Sequence, residues 1–191
     1  MSRRRTAAAA ATALHRALIP VPPGVTVTRA GPRLVVAGPL GSSVTDLAAL
    51  DARGDGALRL DAEGGAIEVA SPSKPFFGTL QSLLRAKLAG AATGHAVTLK
   101  IAGVGYRAAP AAGGDALLLK LGHSHDIRYD LPPAVRAVVP DPTTITLVGL
   151  DKNQVTQTAA NLRALRPPSP YKGKGVRLEG ETPRLKPGKR K

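Results

Sequence analysis

Residues 166–177 read Arg166-Pro-Pro-Ser-Pro-Tyr171-Lys172-Gly-Lys174-Gly-Val-Arg177 and directly follow a helical pattern. The three prolines fix φ and remove three backbone donors, so they end the helix and favour an extended chain. Gly173 and Gly175 permit positive φ and a close approach to another surface. The cations of the stretch meet no acid before Glu179. Such a stiff cationic loop suits a phosphate backbone. A basic loop that only faces solvent after a helix would have the same sequence pattern.

Positive charge is concentrated at the two ends of the chain. Residues 1–20 contain four basic and no acidic side chains, and residues 163–191 contain ten basic and two acidic ones. Residues 21–162 contain thirteen basic and eleven acidic side chains and are therefore nearly neutral. The whole 191-residue chain has a formal net charge of +14. A nearly neutral body with cationic ends is typical of a folded module whose ends enter a polyanion. RNA, DNA and an anionic membrane all meet that description.

Composition narrows the class of partner. No basic amphipathic helix stands at either end and no apolar run could span a bilayer, so we expect no membrane partner. Aromatic residues are only 3% of the chain, which favours phosphate and shape recognition over base stacking. The lack of cysteine excludes disulfides, zinc ribbons and thiol chemistry. DNA-binding architectural proteins are disfavoured because no candidate recognition helix has basic residues at its N-terminal end.

Residues 1–20 are predicted to form a basic N-terminal extension. The first seventeen residues, MSRRRTAAAAATALHRA, combine arginines, small residues and hydroxyls with no acid. That composition is typical of an organelle transit peptide. A basic arm encoded by a GC-rich genome would have the same composition.

Residues 21–92 are predicted to form a first α+β domain. Strands are predicted at 25–28, 33–37, 57–60 and 66–70, with glycine-containing turns between them. The period then changes, because four leucines between positions 80 and 88 recur on one helical face. Pro75 suits the start of this helix and Gly90 suits its C-terminal cap. The pattern predicts an antiparallel-rich sheet covered by one helix.

Residues 93–180 repeat this plan and are predicted to form a second α+β domain. Strands are predicted at 96–101, 104–109, 116–121, 127–129, 135–139 and 144–148. Asp151 is a good N-cap residue for the helix that follows, whose apolar face contains Val155, Ala159 and Leu162.

A sequence echo between the two halves favours a duplication. Pro22-Pro-Gly-Val25 precedes Leu34-Val-Val-Ala-Gly38, and Pro132-Pro-Ala-Val135 precedes Ile145-Thr-Leu-Val-Gly149 at nearly the same spacing. We therefore predict an α+β fold of two tandem similar domains, followed by a basic tail over residues 181–191.

Three short patterns imitate cofactor or catalytic sites. Gly103-Val-Gly-Tyr-Arg-Ala108 matches a dinucleotide fingerprint, but that fingerprint requires a helix next, and Pro110 follows instead. His123-Ser-His125 could supply two metal ligands, but no further ligand has motif spacing. Ser124 between two histidines could suggest a nucleophile and its base, but neighbouring residues of an extended segment point apart. We expect no catalytic residue, no metal and no cofactor.

Four motifs follow one another in a fixed order. They are Gly103–Ala108, Leu121-Gly-His-Ser-His125, Gly149-Leu-Asp-Lys152 with the helix after it, and residues 166–177. In this order they resemble the family of the bacterial-type sixth protein of the large ribosomal subunit, over about residues 20–191. The resemblance implies two duplicated α+β domains, no catalysis, and binding to large-subunit rRNA near the sarcin–ricin loop and the translation-factor site.

The resemblance assigns RNA contact mainly to the second domain, its C-terminal loop and the tail. The expected RNA-binding residues are His123, Ser124, His125, Lys152, Arg166, Tyr171, Lys172, Lys174, Arg177, Arg184, Lys186, Lys189 and Arg190. The implied partners are large-subunit rRNA and neighbouring large-subunit proteins, with no membrane and no small-molecule substrate. The N-terminal arm exceeds the usual bacterial length and indicates a mitochondrion, with a plastid or the bacterial cytoplasm as alternatives.

The chain departs from the family pattern in places. Asp126 stands where the family usually has proline, Ser169 replaces an acid and Thr156 replaces a glycine. Gly38-Pro-Leu-Gly41 lacks a common lysine, which leaves RNA contact by the first domain open. The competing function, an RNA-processing or nucleotide-dependent enzyme, would require an acid–base pair or a metal site. The acids of residues 21–162 are instead scattered over turns and strand ends.

Overall fold

The structure, a computed structural model, describes residues 14–47, 57–60, 65–111 and 113–188. Within these ranges the chain forms two similar units in sequence. The first contains β1 His15–Pro20, β2 Thr26–Ala30, β3 Arg33–Gly38, β4 Gly41–Asp46, β5 Ala57–Leu60, β6 Ala66–Ser71 and α1 Lys74–Ala92. The second contains β7 His95–Ala102, β8 Arg107–Pro110, β9 Ala116–Lys120, β10 Ile127–Asp130, β11 Val135–Asp141, β12 Thr144–Gly149, α2 Lys152–Leu165 and β13 Gly175–Leu178.

Two antiparallel sheets and α1 enclose the core of the first unit. The strand orders of the sheets are β1-β6-β5 and β2-β3-β4. Because strand side chains alternate between faces, Leu34 and Val36 of β3 both point into this core. α1 buries three of the leucines that recur at helical spacing, Leu80, Leu84 and Leu88, against them. The predicted α+β class, with helices packed on antiparallel sheets, is confirmed.

The first sheet begins earlier in the chain than the composition predicts. β1 falls within residues 1–20, the predicted extension, yet it pairs with β6 from His15↔Ser71 to Pro20↔Ala66. Ile19 of β1 is buried in the core. The strand is short and follows an arginine- and alanine-rich stretch, so only its long-range pairing with β6 reveals it. Residues 1–13, the rest of the predicted extension, lie outside the described residues.

α1 begins as predicted but ends later. Pro75 occupies the first turn. Backbone N–H groups there have no acceptor within the helix, so proline, which lacks an N–H, is tolerated. Gly90, the predicted C-cap, lies inside the helix and is buried, and Gly94 with φ +78° follows the helix end instead. An added Cβ at Gly90 would lie 2.0 Å from the carbonyl oxygen of Leu150. This glycine therefore serves close packing between the two units rather than a left-handed turn.

The second unit repeats the plan with a larger sheet. Its strand orders are β11-β12-β7-β13 and β10-β9-β8. α2 begins as predicted at the N-cap residue Asp151, whose side chain accepts a hydrogen bond from the backbone N–H of Asn153 at 3.0 Å. Its predicted apolar face is buried against β7 and β12 in one core. The buried side chains of that core include Val155, Ala159, Leu162, Leu99, Ile145 and Leu147.

In the second unit one strand prediction is wrong in detail and one strand was missed. The strand expected at 104–109 is a turn followed by β8, because Gly105 has φ +76° and breaks the extended run. β13 was not predicted, since its four residues follow the cationic loop directly and carry no independent pattern. It pairs in antiparallel register with β7, from Gly175↔Ala102 to Leu178↔Leu99.

The sequence echo corresponds to the same local structure in both units. The N–H of Val25 donates to the carbonyl of Pro22 at 3.2 Å, and that of Val135 donates to Pro132 at 2.9 Å. Each turn leads into an antiparallel pair, β2 with β3 and β11 with β12. The echo therefore marks equivalent hairpins, which agrees with two similar sheet-and-helix units.

The second unit has two distinct ends along β7. At its first residue, His95 pairs with Gly149, close to Leu150 and to the contact with Gly90 of the first unit. At its last residue, Ala102 pairs with Gly175, where the cationic loop enters β13. Eight residues of strand separate these ends by about 23 Å. The cationic loop thus lies at the end of β7 away from the first unit, which we call the distal end.

Candidate nucleic-acid interface

The loop after α2 is built from backbone hydrogen bonds. α2 ends at Leu165, and Arg166 leaves the helix with φ −151° and ψ 84°. The N–H of Ser169 donates to the carbonyl of Lys174, and the N–H of Gly173 donates to that of Ser169, both at 2.9 Å. The N–H of Val176 donates to the carbonyl of Arg166 at 2.8 Å. These bonds join the proline arm to β13 and leave the lysine side chains pointing outward.

The glycines of the loop have different uses. At Gly175 φ is +145°, and an added Cβ would lie 2.6 Å from the carbonyl oxygen of Pro167. At Gly173 φ is +66°, and the side chains of Leu185 and Pro183 lie at ordinary contact distance. The positive φ predicted for both glycines is therefore confirmed, and Gly175 closely approaches the protein's own chain, whereas the approach to another surface stays a prediction.

The C-terminal tail folds back over this loop. The N–H of Lys186 donates to the carbonyl of Pro170 at 2.7 Å. At the base of the tail, Glu181 accepts two hydrogen bonds from Arg163 in the last turn of α2, and its Oε2 accepts the N–H of Leu178 at 3.2 Å. The hydrogen bonds from Arg163 outweigh partial burial and lower the pKa of Glu181 below its usual value. The pair therefore ties the start of the tail to the helix.

Loop and tail together form what we call the cationic surface. It consists of Arg166, Tyr171, Lys172, Lys174, Arg177, Arg184 and Lys186. All of these side chains are exposed except that of Arg177, which is half-buried, and Tyr171 is 62% exposed. Seven of the thirteen predicted site residues thus come together in space. Lys189 and Arg190 lie outside the described residues.

Cations of this surface differ from other cations of the second unit. Lys100, Lys120 and Arg128 pair with Glu179, Asp126 and Asp130 at 2.9, 3.1 and 3.0 Å. In the described part of the chain, no carboxylate oxygen lies within 4.0 Å of the charged nitrogens of the cationic surface. Three sheet cations are therefore paired with acids, whereas the cations of the cationic surface form no ion pair within the described residues, although Arg177 interacts electrostatically with Glu181. Arg107 and Arg136 on the sheets also form no ion pair there.

Lys152 does not join the cationic surface. It stands at the first residue of α2, whereas Arg166 follows the last. Fourteen residues of helix separate the two by about 20 Å. Lys152 instead lies beside the junction of the two units, next to Asp151, whose carboxylate pairs with Lys87 of α1 at 2.8 Å.

The predicted residues His123, Ser124 and His125 lie in the turn between β9 and β10, residues 122–126, which we call the histidine loop. All three side chains are exposed, and the two imidazole rings lie 6.2 Å apart between centroids. The loop reaches the distal end because Gly122 contacts Tyr106, which follows the β7–β8 turn. It therefore lies at the same end of the unit as the cationic surface.

The imitated cofactor and catalytic sites have ordinary structural explanations. Gly103 and Gly105 belong to a tight turn that leads into β8 rather than into a helix. Within the described ranges, no group of three or more histidines or carboxylates is placed to hold a metal ion. No helix among the same residues is long and apolar enough to cross a bilayer.

Three features of the interface were missed by the sequence analysis. These are the pairing of β13 with β7, the return of the tail over the loop, and the ion pair between Arg163 and Glu181. The only local signal was the spacing of Glu179 and Glu181 after the cationic run, which resembles ordinary charge alternation. Asp126, the departure from the family pattern, pairs with Lys120 across the base of the histidine loop.

Comparison with known proteins finds similarity over most of the chain. The family described as Ribosomal protein L6 matches residues 102–179, from the end of β7 to the end of β13. Large ribosomal subunit protein uL6m of Prototheca wickerhamii is 41% identical over 165 residues, covering 82% of this chain and 85% of the relative. Large ribosomal subunit protein uL6 of Acidithiobacillus ferrooxidans is 41% identical over 174 residues, covering 91% and 95%. The uL6 protein of Listeria welshimeri is 38% identical over 176 residues, covering 90% and 94%.

Proposed function

Because the chain belongs to the ribosomal protein L6 family of structural, non-enzymatic large-subunit proteins, we propose that it binds large-subunit rRNA through the cationic surface. The observation that carries the proposal is the division of charge on the second unit. Lys100, Lys120 and Arg128 on the sheets form ion pairs, whereas the cations of the cationic surface form none within the described residues. Free cations on a rigid loop bind phosphates without first breaking an internal ion pair.

The backbone of the loop supports this role by limiting the entropy lost on binding. Prolines hold the arm, three backbone hydrogen bonds hold the lysine-bearing turn, and the tail covers it from one side. A preorganised surface orders few groups when it binds. Tyr171, exposed among the cations, adds a flat face that can stack on a base or a sugar edge.

The remaining site residues supply contacts of other kinds. The histidine loop carries His123, Ser124 and His125 at the same distal end, where hydroxyl and imidazole groups can bond 2′-hydroxyls or phosphates. Lys152 is a separate, distant contact near the junction of the units. Lys189 and Arg190 extend the tail and add further positive charge.

The position of the protein within the large ribosomal subunit is part of the same proposal. The match to the family over residues 102–179 includes the histidine loop, α2 and most of the cationic surface. These residues support contact with rRNA near the sarcin–ricin loop and the factor-binding region, beside neighbouring large-subunit proteins. Hydroxyl-radical footprinting on assembled large subunits tests this, because protection confined to other rRNA domains would contradict it.

We propose a mitochondrial ribosome as the site of action. The relative from Prototheca wickerhamii carries the designation uL6m, and residues 1–20 have the composition of a transit peptide. Bacterial uL6 proteins match to a similar extent, so a plastid or bacterial cytoplasm is the alternative. Fractionation of cells expressing the tagged chain tests the proposal, with co-sedimentation in mitochondrial large subunits as the expected result.

The decisive experiment for RNA binding is a measurement of salt dependence. Arg166, Lys172, Lys174 and Arg177 are replaced together by alanine in the full chain, and binding to transcribed bacterial large-subunit rRNA is measured at several salt concentrations. Each cation that no longer meets a phosphate should lower the slope of log K against log salt by about 0.7 to 0.9, so four should remove about 3 units. Replacing Pro167 and Pro168 by alanine should weaken binding at an unchanged slope, because charges remain while the arm loosens.

A matched control uses cations that already have acidic partners. Replacing Lys100, Lys120 and Arg128 by alanine removes three exposed charges from the same unit, and the slope should change little. An unchanged slope in the quadruple variant would show that the loop faces solvent. In that case the tail from Arg184 onward would be the anchor, and its truncation should carry the salt dependence instead.

A further inference from the structure

Two turns of the second unit close on the ring of Tyr106. An added Cβ at Gly103 would lie 2.4 Å from Cδ2 of this ring. An added Cβ at Gly122 would lie 2.7 Å from Cε1 and 2.8 Å from the hydroxyl oxygen, on the opposite edge. The ring therefore fills the space between the β7–β8 turn and the histidine loop. Both glycines are required for the ring to fit.

The two glycines are required for different reasons. Gly103 does not have a positive φ, so the need there is for space alone. Gly122 has φ +77° and also faces the ring. Tyr106 itself is half-buried and packs on the core of the second unit. The pattern Gly103-Val-Gly-Tyr106 is thus explained by the packing of the Tyr106 ring between two turns, which we call the strut, rather than by a cofactor.

The histidine loop has few other supports. In the described part of the chain, no side-chain hydrogen bond holds His123, Ser124 or His125. The ion pair between Lys120 and Asp126 closes the base of the loop, but about half of each side chain is exposed, and such pairs contribute little. The ring of Tyr106 is therefore a packing contact that holds the loop against the β7–β8 turn.

We propose that Tyr106 is a positioning residue that holds the histidine loop in its RNA-binding orientation beside the cationic surface. This inference rests on the proposed function. A loop that is already ordered needs no ordering when RNA binds, so removal of the strut lowers affinity while every RNA-binding group stays in the chain. No charge is removed with the ring, so the salt dependence of binding stays the same.

The test combines backbone NMR relaxation with RNA binding in the full chain. In Tyr106→Ala, backbone order parameters over residues 122–126 should fall to those of a flexible loop, and affinity for transcribed bacterial large-subunit rRNA should be about tenfold lower, at unchanged salt slope. In Tyr106→Phe both quantities should remain close to wild type, because the ring edges that meet the glycines are kept.

A pair of glycine variants separates the strut from backbone strain. Gly122 and Gly105 have nearly equal φ, +77° and +76°, but an added Cβ at Gly105 meets nothing within 4 Å. Gly122→Ala should reproduce the low order parameters and weak binding of Tyr106→Ala, while Gly105→Ala should leave the order parameters of the histidine loop unchanged. Equal effects of the two alanines would overturn the inference.

The outcomes distinguish this inference from the function on which it rests. If the wild-type chain binds rRNA and Tyr106→Ala binds equally well despite lower order parameters in the loop, the inference alone fails. Weak binding by Tyr106→Ala with wild-type order parameters would also overturn it, because Tyr106 would then touch RNA directly. If the wild-type chain does not bind, the proposed function fails as well.

Discussion

Asp151 is predicted to stabilise the protein through two interactions made by one carboxylate. Its Oδ1 accepts the N–H of Asn153 at 3.0 Å and caps α2, and its Oδ2 pairs with Lys87 of α1 at 2.8 Å. Lys87 also lies 3.0 Å from the hydroxyl of Ser43 in β4. The side chains of Lys87 and Asp151 are only 15% and 25% exposed. We predict that Asp151→Ala lowers the free energy of unfolding more than Asp151→Asn does.

The magnitude follows from separating the cap from the ion pair. Loss of an N-cap side chain costs about 1 kcal/mol. Loss of a hydrogen bond to a charged group costs about 1.5 to 3 kcal/mol, and the lower end applies because a quarter of the carboxylate side chain is exposed. Asp151→Ala should therefore cost about 2 to 3 kcal/mol. Asparagine keeps the cap, so Asp151→Asn should cost about 1 to 2 kcal/mol.

The pH dependence of this contribution has a defined sign. Burial tends to raise the pKa of Asp151, but hydrogen bonds from Lys87 and the N–H of Asn153, with the positive charge of Lys87 and an interaction with His95, lower the pKa below its usual value. A carboxylate with a lowered folded pKa stabilises the protein above its unfolded pKa of about 3.9. The stabilisation is lost as pH falls further, through the folded pKa. The advantage of wild type over Asp151→Asn should be constant above about pH 5 and shrink below about pH 4.

Urea unfolding at pH 7 and pH 3 measures these differences, with Lys87→Met completing a double-mutant cycle. The two single substitutions should be non-additive by about 1 kcal/mol, since they break the same pair. Additivity within about 0.3 kcal/mol would refute the coupling between the units. An advantage of wild type over Asp151→Asn that grows toward low pH would refute the assigned direction of the pKa.

Further predictions concern a pair of glycines in α1 and the base of the tail. Gly90→Ala should cost about 1 to 3 kcal/mol by urea unfolding, because its Cβ would meet the carbonyl of Leu150 at 2.0 Å. Gly78→Ala, in the same helix with nothing within 4 Å, should stabilise by about 0.5 to 1 kcal/mol, and equal effects would contradict the packing. Arg163→Ala should speed amide exchange over residues 181–186 and weaken rRNA binding at unchanged salt slope, because Arg163 is already paired with Glu181. A lower slope in this variant would show that Arg163 itself meets a phosphate.

Local patterns in the sequence were sufficient for the starts of both helices and for the position of the cations. The helical spacing of the leucines of α1, the cap at Asp151 and the proline stop after Leu165 each depend on neighbours within about one helical turn. The repeated turns at Pro22 and Pro132 are equally local, so the similarity of the two units was predictable from the sequence. The clustering of positive charge in the loop and tail is also visible in the sequence.

Tertiary structure decided which of these residues act together. β1 and β13 are strands only because β6 and β7 lie beside them, and each pairing joins segments that are far apart in the chain. The tail meets the loop, Lys152 lies at the opposite end of α2, and Tyr106 joins two turns through contacts that no local pattern encodes. Pairing and packing between distant segments depend on the whole core, whereas capping, turns and helical period depend on a few adjacent residues.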